Sequence, residues 1–273
     1  MKRIFITLAL SLIFLSGFAY ADASVEKKTR KVRLYMASAL FNGRETQFNL
    51  EMAKQFESRG YKVILPQRDG FEYISLRKAV SKTMPKSDLV KVTRELIYLL
   101  DMGVFIPQSD IVVANLDEPL DEGVVVELTY ARLMGKPVIG YRTDSRTPFG
   151  GVDGMGGLHS FVGYQCNDLV RQRIAYHDLK QAQTAIKKLA DTIESKIKHF
   201  PINDSLQLPS YALNNPAIGN LIQGAHLVFS DVHDLHTEDG LRKTVKNIMK
   251  YNKKISSLAT SVKVTGDNGS AKA

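Results

Sequence analysis

The stretch SDIVVANLDEPLDEGVVVELTYARLMGKPVIGYR (109–142) decides how the rest of the chain is read. DIVVANL (110–116) is a short run rich in β-branched residues. An acid-laden turn follows, then a segment of helical spacing from Gly123 to Met134 that Gly135 closes, then a second β-branched run, PVIGYR (137–142). Strand, helix and strand at this spacing predict a βαβ unit with parallel strands. The helix carries Glu127 between three valines and a leucine, where an unpaired carboxylate is costly to bury. If 123–134 is helical, the i±3 and i±4 neighbours of Glu127 are Gly123, Val124, Tyr130 and Ala131, none of them charged. Glu122, Thr129, Arg132 and Lys136 fall on the opposite side and read as a solvated stripe. Glu127 therefore either meets a distant Lys or Arg in a buried ion pair or faces a pocket. In a pocket, the nearby helix N-terminus is expected to keep it ionised, the state a nucleophile needs.

The alternation continues on both sides of this unit. VRLYMA (32–37) and KVILP (62–66) read as strands. They flank ETQFNLEMAKQFESRG (45–60), in which Phe48, Met52, Ala53 and Phe56 recur at helical spacing. Ser87 to about Leu100 is a further helix, with Val90, Leu96, Leu99 and Leu100 in register. After the Gly-rich loop GGVDGMGG (150–157), SFVGY (160–164) is expected to be a strand, and Leu179 to Ile197 a long amphipathic helix. Such alternation predicts an α/β fold, an open and mostly parallel sheet with helices on both faces. Residues 201–232 read as a long loop with scattered Pro, Asn and Gly, Glu238 to about Ser256 as one basic helix capped by Thr237, and the last residues as a frayed tail. Three parts result: a signal peptide (1–21), the α/β domain (22–200) and a C-terminal extension (201–273).

The signal peptide is read from Lys2 and Arg3, the apolar run IFITLALSLIFLSGFA and the small-x-small site Ala19-Tyr20-Ala21. The apolar run is shorter than the roughly 20 residues of a spanning helix, so cleavage after Ala21 and a periplasmic or secreted location are expected, without a stable membrane anchor. The 37 basic residues exceed the 28 acidic ones, giving a net charge of +9. The basic runs lack interleaved aromatics, which argues for a solvated surface over specific nucleic-acid binding. Cys166 is the only cysteine, so no internal disulfide is available. Asp231, His233 and His236 fit no standard metal spacing, and no metal or other cofactor is expected. Both the GxGxxG and the GxxxxGK[ST] phosphate loops are absent, which disfavours a nicotinamide or P-loop enzyme.

YMASALF (35–41), KVILPQRDG (62–70), Asp101, SDIVVANLD (109–117) and DEGVVVELTYARLMGKPVIGYRTDSR (121–146) occur together in that order. This ordered set resembles the nucleoside 2-deoxyribosyltransferase family over residues 32–146, with departures at Val124 and Thr129. The resemblance implies a Rossmann- or flavodoxin-like sheet and roles for individual residues. Glu127 is implied as the nucleophile on the anomeric carbon, Tyr35 as the hydroxyl that orients it, and Asp101 as the acid that serves the departing base. Asp121 is implied in binding the sugar hydroxyls, although its place before the helix also suits a plain N-cap. Phe41, Gln67 and Asp69 are implied in holding the base. The implied substrate is a nucleoside, with a free nucleobase or water as acceptor, and the implied assembly is a homo-oligomer. Two alternatives stay open: a glycohydrolase of another N-riboside or nucleotide, and a non-catalytic nucleoside-binding protein.

Overall fold

The computed structural model describes residues 30–149, 155, 157–174, 177–202, 205–255 and 257. The expected signal peptide, most of the Gly-rich loop and the C-terminal tail lie outside the described residues. Five parallel strands form one sheet: β1 (Arg33–Ala37), β2 (Lys62–Ile64), β3 (Ile111–Asn115), β4 (Val138–Arg142) and β5 (Asp168–Arg171), in the order β2-β1-β3-β4-β5. Alternate residues of each strand serve opposite faces. Leu34, Met36, Val63, Ile111, Val113, Ile139 and Tyr141 pack with α1 (Gly43–Ser58) and α8 (Leu179–Ile197). Tyr35, Ala37, Ile64, Val112, Ala114 and Val138 point to the other face, where α3 (Tyr73–Ser81), α4 (Lys86–Leu100) and α6 (Glu122–Leu133) supply the cover. The strands are apolar on both sides because both sides are covered.

This arrangement matches the expected α/β class, but several local expectations are corrected. SFVGY is the short helix α7 (Ser160–Gly163), whose first turn is capped by His159 Nδ1 accepting from Phe161 N at 3.2 Å. The strand in this region is instead DLVR at the sheet edge, where four residues with charged ends give little pattern to read. Val90 and Leu179, counted in the apolar stripes, are exposed at the starts of their helices. Lys136, assigned to the solvated stripe, is buried, and its ammonium donates to the Pro107 and Ser109 carbonyl oxygens.

The turn after β2 holds α2 (Pro66–Asp69) followed by α3, and the segment read as a loop over 201–232 holds α9 (Ser210–Leu213) and α10 (Pro216–Phe229). Asn215 caps α10 by accepting from Ala217 N at 2.9 Å, and Pro216 occupies its first turn. Together with α11 (Glu238–Ile255), where Thr237 Oγ1 accepts from Gly240 N at 3.1 Å, α10 joins the apolar layer over α4. The residues after 200 pack onto the α/β domain, since Ile218, Leu221, Val228, Val245 and Ile248 share one core with Leu96, Leu99 and Val112.

Candidate active site

In a sheet of this order the chain leaves β1 and β3 in opposite directions, and the crevice between their carboxyl ends is the place a ligand fits. A cavity of about 580 Å³ occupies it, a size that suits a small metabolite. Its acids come from three places. Asp101 arrives at the end of α4, Asp121 from the turn after β3, and Glu127 from the second turn of α6. Ser38, Leu40 and Phe41 come from the loop after β1, and Gln67, Gly70, Phe71 and Tyr73 from the segment after β2.

Tyr35 connects the sheet to this site. Its ring is fully buried in β1, and its hydroxyl donates to Glu127 Oε1 at 2.8 Å. Burial, reinforced by the charges of Glu127 and Asp101, holds the Tyr35 phenol well above its usual range, so it remains a donor. Burial pushes the Asp101 carboxyl up to about 7. Glu127 is pushed up to about 8, chiefly by burial and then by the Asp101 charge, while the Tyr35 hydrogen bond works in the opposite direction. The expectation that the helix N-terminus keeps Glu127 ionised is thus corrected. Glu127 lies past the first turn, where the dipole fades, and desolvation at the cavity floor outweighs it. The two acids form a unit that carries a proton around neutral pH.

Asp121 is the N-cap of α6 and also stands in the cavity wall. Its Oδ1 accepts from Val124 N at 2.9 Å. Gly123 leaves room for this, because a Cβ there would lie 2.8 Å from Asp121 Oδ1. Phe41 lines the cavity and is 78% exposed. Gln67 reaches the wall, but its amide is engaged: Nε2 donates to Thr46 O at 3.0 Å and Oε1 accepts from Asn49 Nδ2 at 3.0 Å. Asp69 is not brought to the cavity. Its carboxylate accepts from Leu65 N at 2.7 Å and pairs with Arg68 at 3.0 Å, so the turn after β2 consumes it.

The aromatic pair Phe71 and Tyr73 forms a wall of the cavity that the sequence reading missed. The signal was present in GFEY (70–73), a few residues past a strand end, where two aromatics beside a glycine suit a stacking surface. His159 caps α7 between the rings of Phe149 and Phe161 and does not line the cavity. Cys166 is partly buried, and burial pushes its thiol up to about 11, which leaves it unreactive. No group of three metal-binding side chains occurs among the described residues. A second opening of about 680 Å³, between α3 and α11, is rimmed by Lys78, Lys82, Arg242 and Lys246 and lacks an acid pair of this kind.

Comparisons with known proteins bear on the same region. Residues 34–198 match the family model described as nucleoside 2-deoxyribosyltransferase. Among solved structures, a conserved protein from Enterococcus faecalis V583 aligns at 18% identity over 58% of this chain and 99% of its own, with a TM-score of 0.35. A 2-deoxyribosyltransferase from Bacillus psychrosaccharolyticus aligns at 15% identity over 56% and 90%, with a TM-score of 0.31. A CMP N-glycosidase from Clostridium botulinum aligns at 17% identity over 57% and 98%, also at 0.31. No curated protein matches the chain.

Proposed function

Because the chain belongs to the nucleoside 2-deoxyribosyltransferase family, an enzyme family acting on nucleosides, we propose that Glu127 attacks the anomeric carbon of a 2-deoxynucleoside and carries the sugar covalently. The observation that carries this reading is the buried Tyr35 hydroxyl bonded to Glu127 Oε1 at 2.8 Å in a cavity that also holds Asp101. One Glu127 oxygen is thereby oriented and its anion favoured, while the other is left for chemistry.

The nucleophilic step needs the pair's one proton on Asp101 and Glu127 ionised; in the free protein the proton prefers Glu127, and the Tyr35 hydrogen bond to Oε1 favours the anion the step requires. Glu127 forms a bond to the anomeric carbon as the bond to the base nitrogen breaks, and that bond's electron pair leaves with the base. Asp101 supplies the proton that neutralises it. The transition state resembles an oxocarbenium ion, which the neighbouring carboxylates stabilise. In the second half an acceptor base, or water, attacks the same carbon, Asp101 takes its proton, and Glu127 departs. Two inversions give net retention. Phe41, Phe71 and Tyr73 offer faces on which a base stacks, and Asp121 accepts from a sugar hydroxyl.

The cavity lining favours a nucleoside over a nucleotide. Asp101, Asp121 and Glu127 line it, and no Lys, Arg or His does so among the described residues, so a 5′-phosphate would meet like charge without a counterion. The chain is further proposed to be exported, on the strength of its basic, apolar and small-x-small N-terminal pattern, and to assemble with copies of itself. Val126 and Leu133 lie seven residues apart on one side of α6, 51% and 55% exposed, and suit such contact.

The decisive experiment incubates the purified protein with deoxynucleosides, with and without a second free base, and separates the products. Release or exchange of the base is expected, together with a deoxyribosyl adduct on the Glu127 peptide trapped by acid quench. Absence of any base release from wild-type protein would sink the reading. Glu127→Gln is expected to bind nucleoside while losing at least 10³-fold in turnover, whereas a binding protein would show no turnover to lose.

A further inference from the structure

Helix α4 does not stop at Asp101. It widens into a π turn over Asp101–Phe105, in which the Ile106 N–H bonds the Asp101 carbonyl, and it ends in α5 (Ile106–Gln108). Such a turn re-aims the side chain at its start and is held by whatever packs on its outer side. Here that neighbour is α10, beyond the family match that ends at residue 198. Gly103 is buried in the turn, and a Cβ added to it would lie 2.4 Å from Ala225 Cβ and 2.9 Å from Leu221 O. The turn and α10 thus meet with only the glycine hydrogen between them. At the end of α10 the Phe229 ring lies 6.1 Å from that of Phe71, which lines the cavity. Helix α11 fixes α10 in turn, since Asn247 Nδ2 donates to Val228 O at 2.9 Å.

We infer that α10 is a positioning element for the site: Gly103 and Ala225 set where the π turn carries Asp101, and Phe229 sets the Phe71 wall. The inference rests on Asp101 acting as the proton donor to the base. Proton transfer needs heavy atoms within about 2.6–3.2 Å, so a displacement of a fraction of an ångström in the turn is felt at the base nitrogen. A misplacement of about 1 Å costs on the order of 10²-fold in rate. Gly103, Ala225, Leu221 and Phe229 touch no substrate in this scheme and act only through Asp101 and Phe71.

The test compares two substrates. 2′-Deoxyguanosine needs a proton on its leaving base, whereas 7-methyl-2′-deoxyguanosine carries a cationic base that departs neutral without one. Gly103→Ala is expected to lower kcat/KM at least tenfold on the first while leaving the second within twofold, and adding Ala225→Gly should restore part of the loss. Equal losses on both substrates, or no loss on either, would overturn the inference. Should Gly103→Ala not fold, Ala225→Gly alone, which removes the facing methyl, carries the same comparison with a loss of about threefold expected, by the same positioning argument.

A substrate-free arm keeps the two proposals apart. The stability change caused by Asp101→Asn is measured between pH 5 and 8, with and without Ala225→Gly. A changed pH dependence supports positioning of Asp101 by α10, and an unchanged one refutes it. If wild-type protein cleaves neither nucleoside, the proposed function fails, and this arm alone decides the role of α10.

Discussion

Glu127 and Asp101 are raised for the same main reason, removal from water, and the Asp101 charge adds to the rise of Glu127. The folded protein therefore keeps protons that the unfolded chain has already released. For acids raised in this way the stabilising contribution is complete below about pH 4, where both states are protonated, and is lost as pH rises through about 7 and about 8. Glu127→Gln is thus expected to raise Tm relative to wild type at pH 9, by on the order of 2 kcal/mol or about 4–8 °C, and to match wild type near pH 4. Thermal melts across that range check it, and an equal gain at both pH values would refute the burial argument. Activity should follow a bell in pH, because the working state holds one proton on the pair. Tyr35→Phe removes the bond that favours the Glu127 anion, so the acidic limb should move upward and kcat fall about 10–100-fold, as measured by pH-rate profiles. Glu127 was legible in the sequence because every neighbour at helical spacing was uncharged, so a surface position made no sense for it. Asp69 was not, because capture of its carboxylate by Leu65 N depends on a tight turn that residue spacing does not encode.

Helix α6 sets the geometry at the element scale. Its N-cap is also a wall of the cavity, so the two contributions of Asp121 need separating. Asn caps about as well as Asp, whereas it lacks the charge. Asp121→Asn is accordingly expected to leave stability within about 0.5 kcal/mol of wild type and to raise KM roughly tenfold, while Asp121→Ala also loses about 1 kcal/mol of stability. Denaturant titration and steady-state kinetics on the same samples check both halves, and an unchanged KM in both variants would leave Asp121 as a cap only. Strands β1 to β4 and the helices α1, α4, α6 and α8 were legible because each carries apolar residues in a run or at a period of its own. The segments α3 and α10 were hidden for opposite reasons. In YISLRKAVS only Leu76 and Val80 are fully buried, too few for a stripe, whereas PAIGNLIQGAHLVF is apolar nearly all round and broken by two glycines. The π turn left no mark at all, since its helical pattern simply continues.

At the scale of the whole molecule, residues 201–255 belong to the core that supports the site. Ala212, Ile218, Leu221, Val228, Val245, Ile248 and Ile255 are buried in the same layer as the helices that bear the acids. At about 1.5–3 kcal/mol for each large apolar side chain, the burial lost with them is comparable to the 5–15 kcal/mol by which domains are usually stable. A chain ending at residue 200 is therefore expected not to fold cooperatively, which circular dichroism melts and dye binding would show, even though it retains the whole family match. A sharp melt for that fragment would contradict the shared core.

Lys136 closes the far side of this architecture. It follows α6, and its ammonium holds the carbonyls of Pro107 and Ser109 where the helix run that began with α4 comes to its end. The run bearing Asp101 and the helix bearing Glu127 are thereby riveted together away from the cavity, like the two arms of a pair of calipers. The spacing of the two acids is thus tied at a point remote from the cavity.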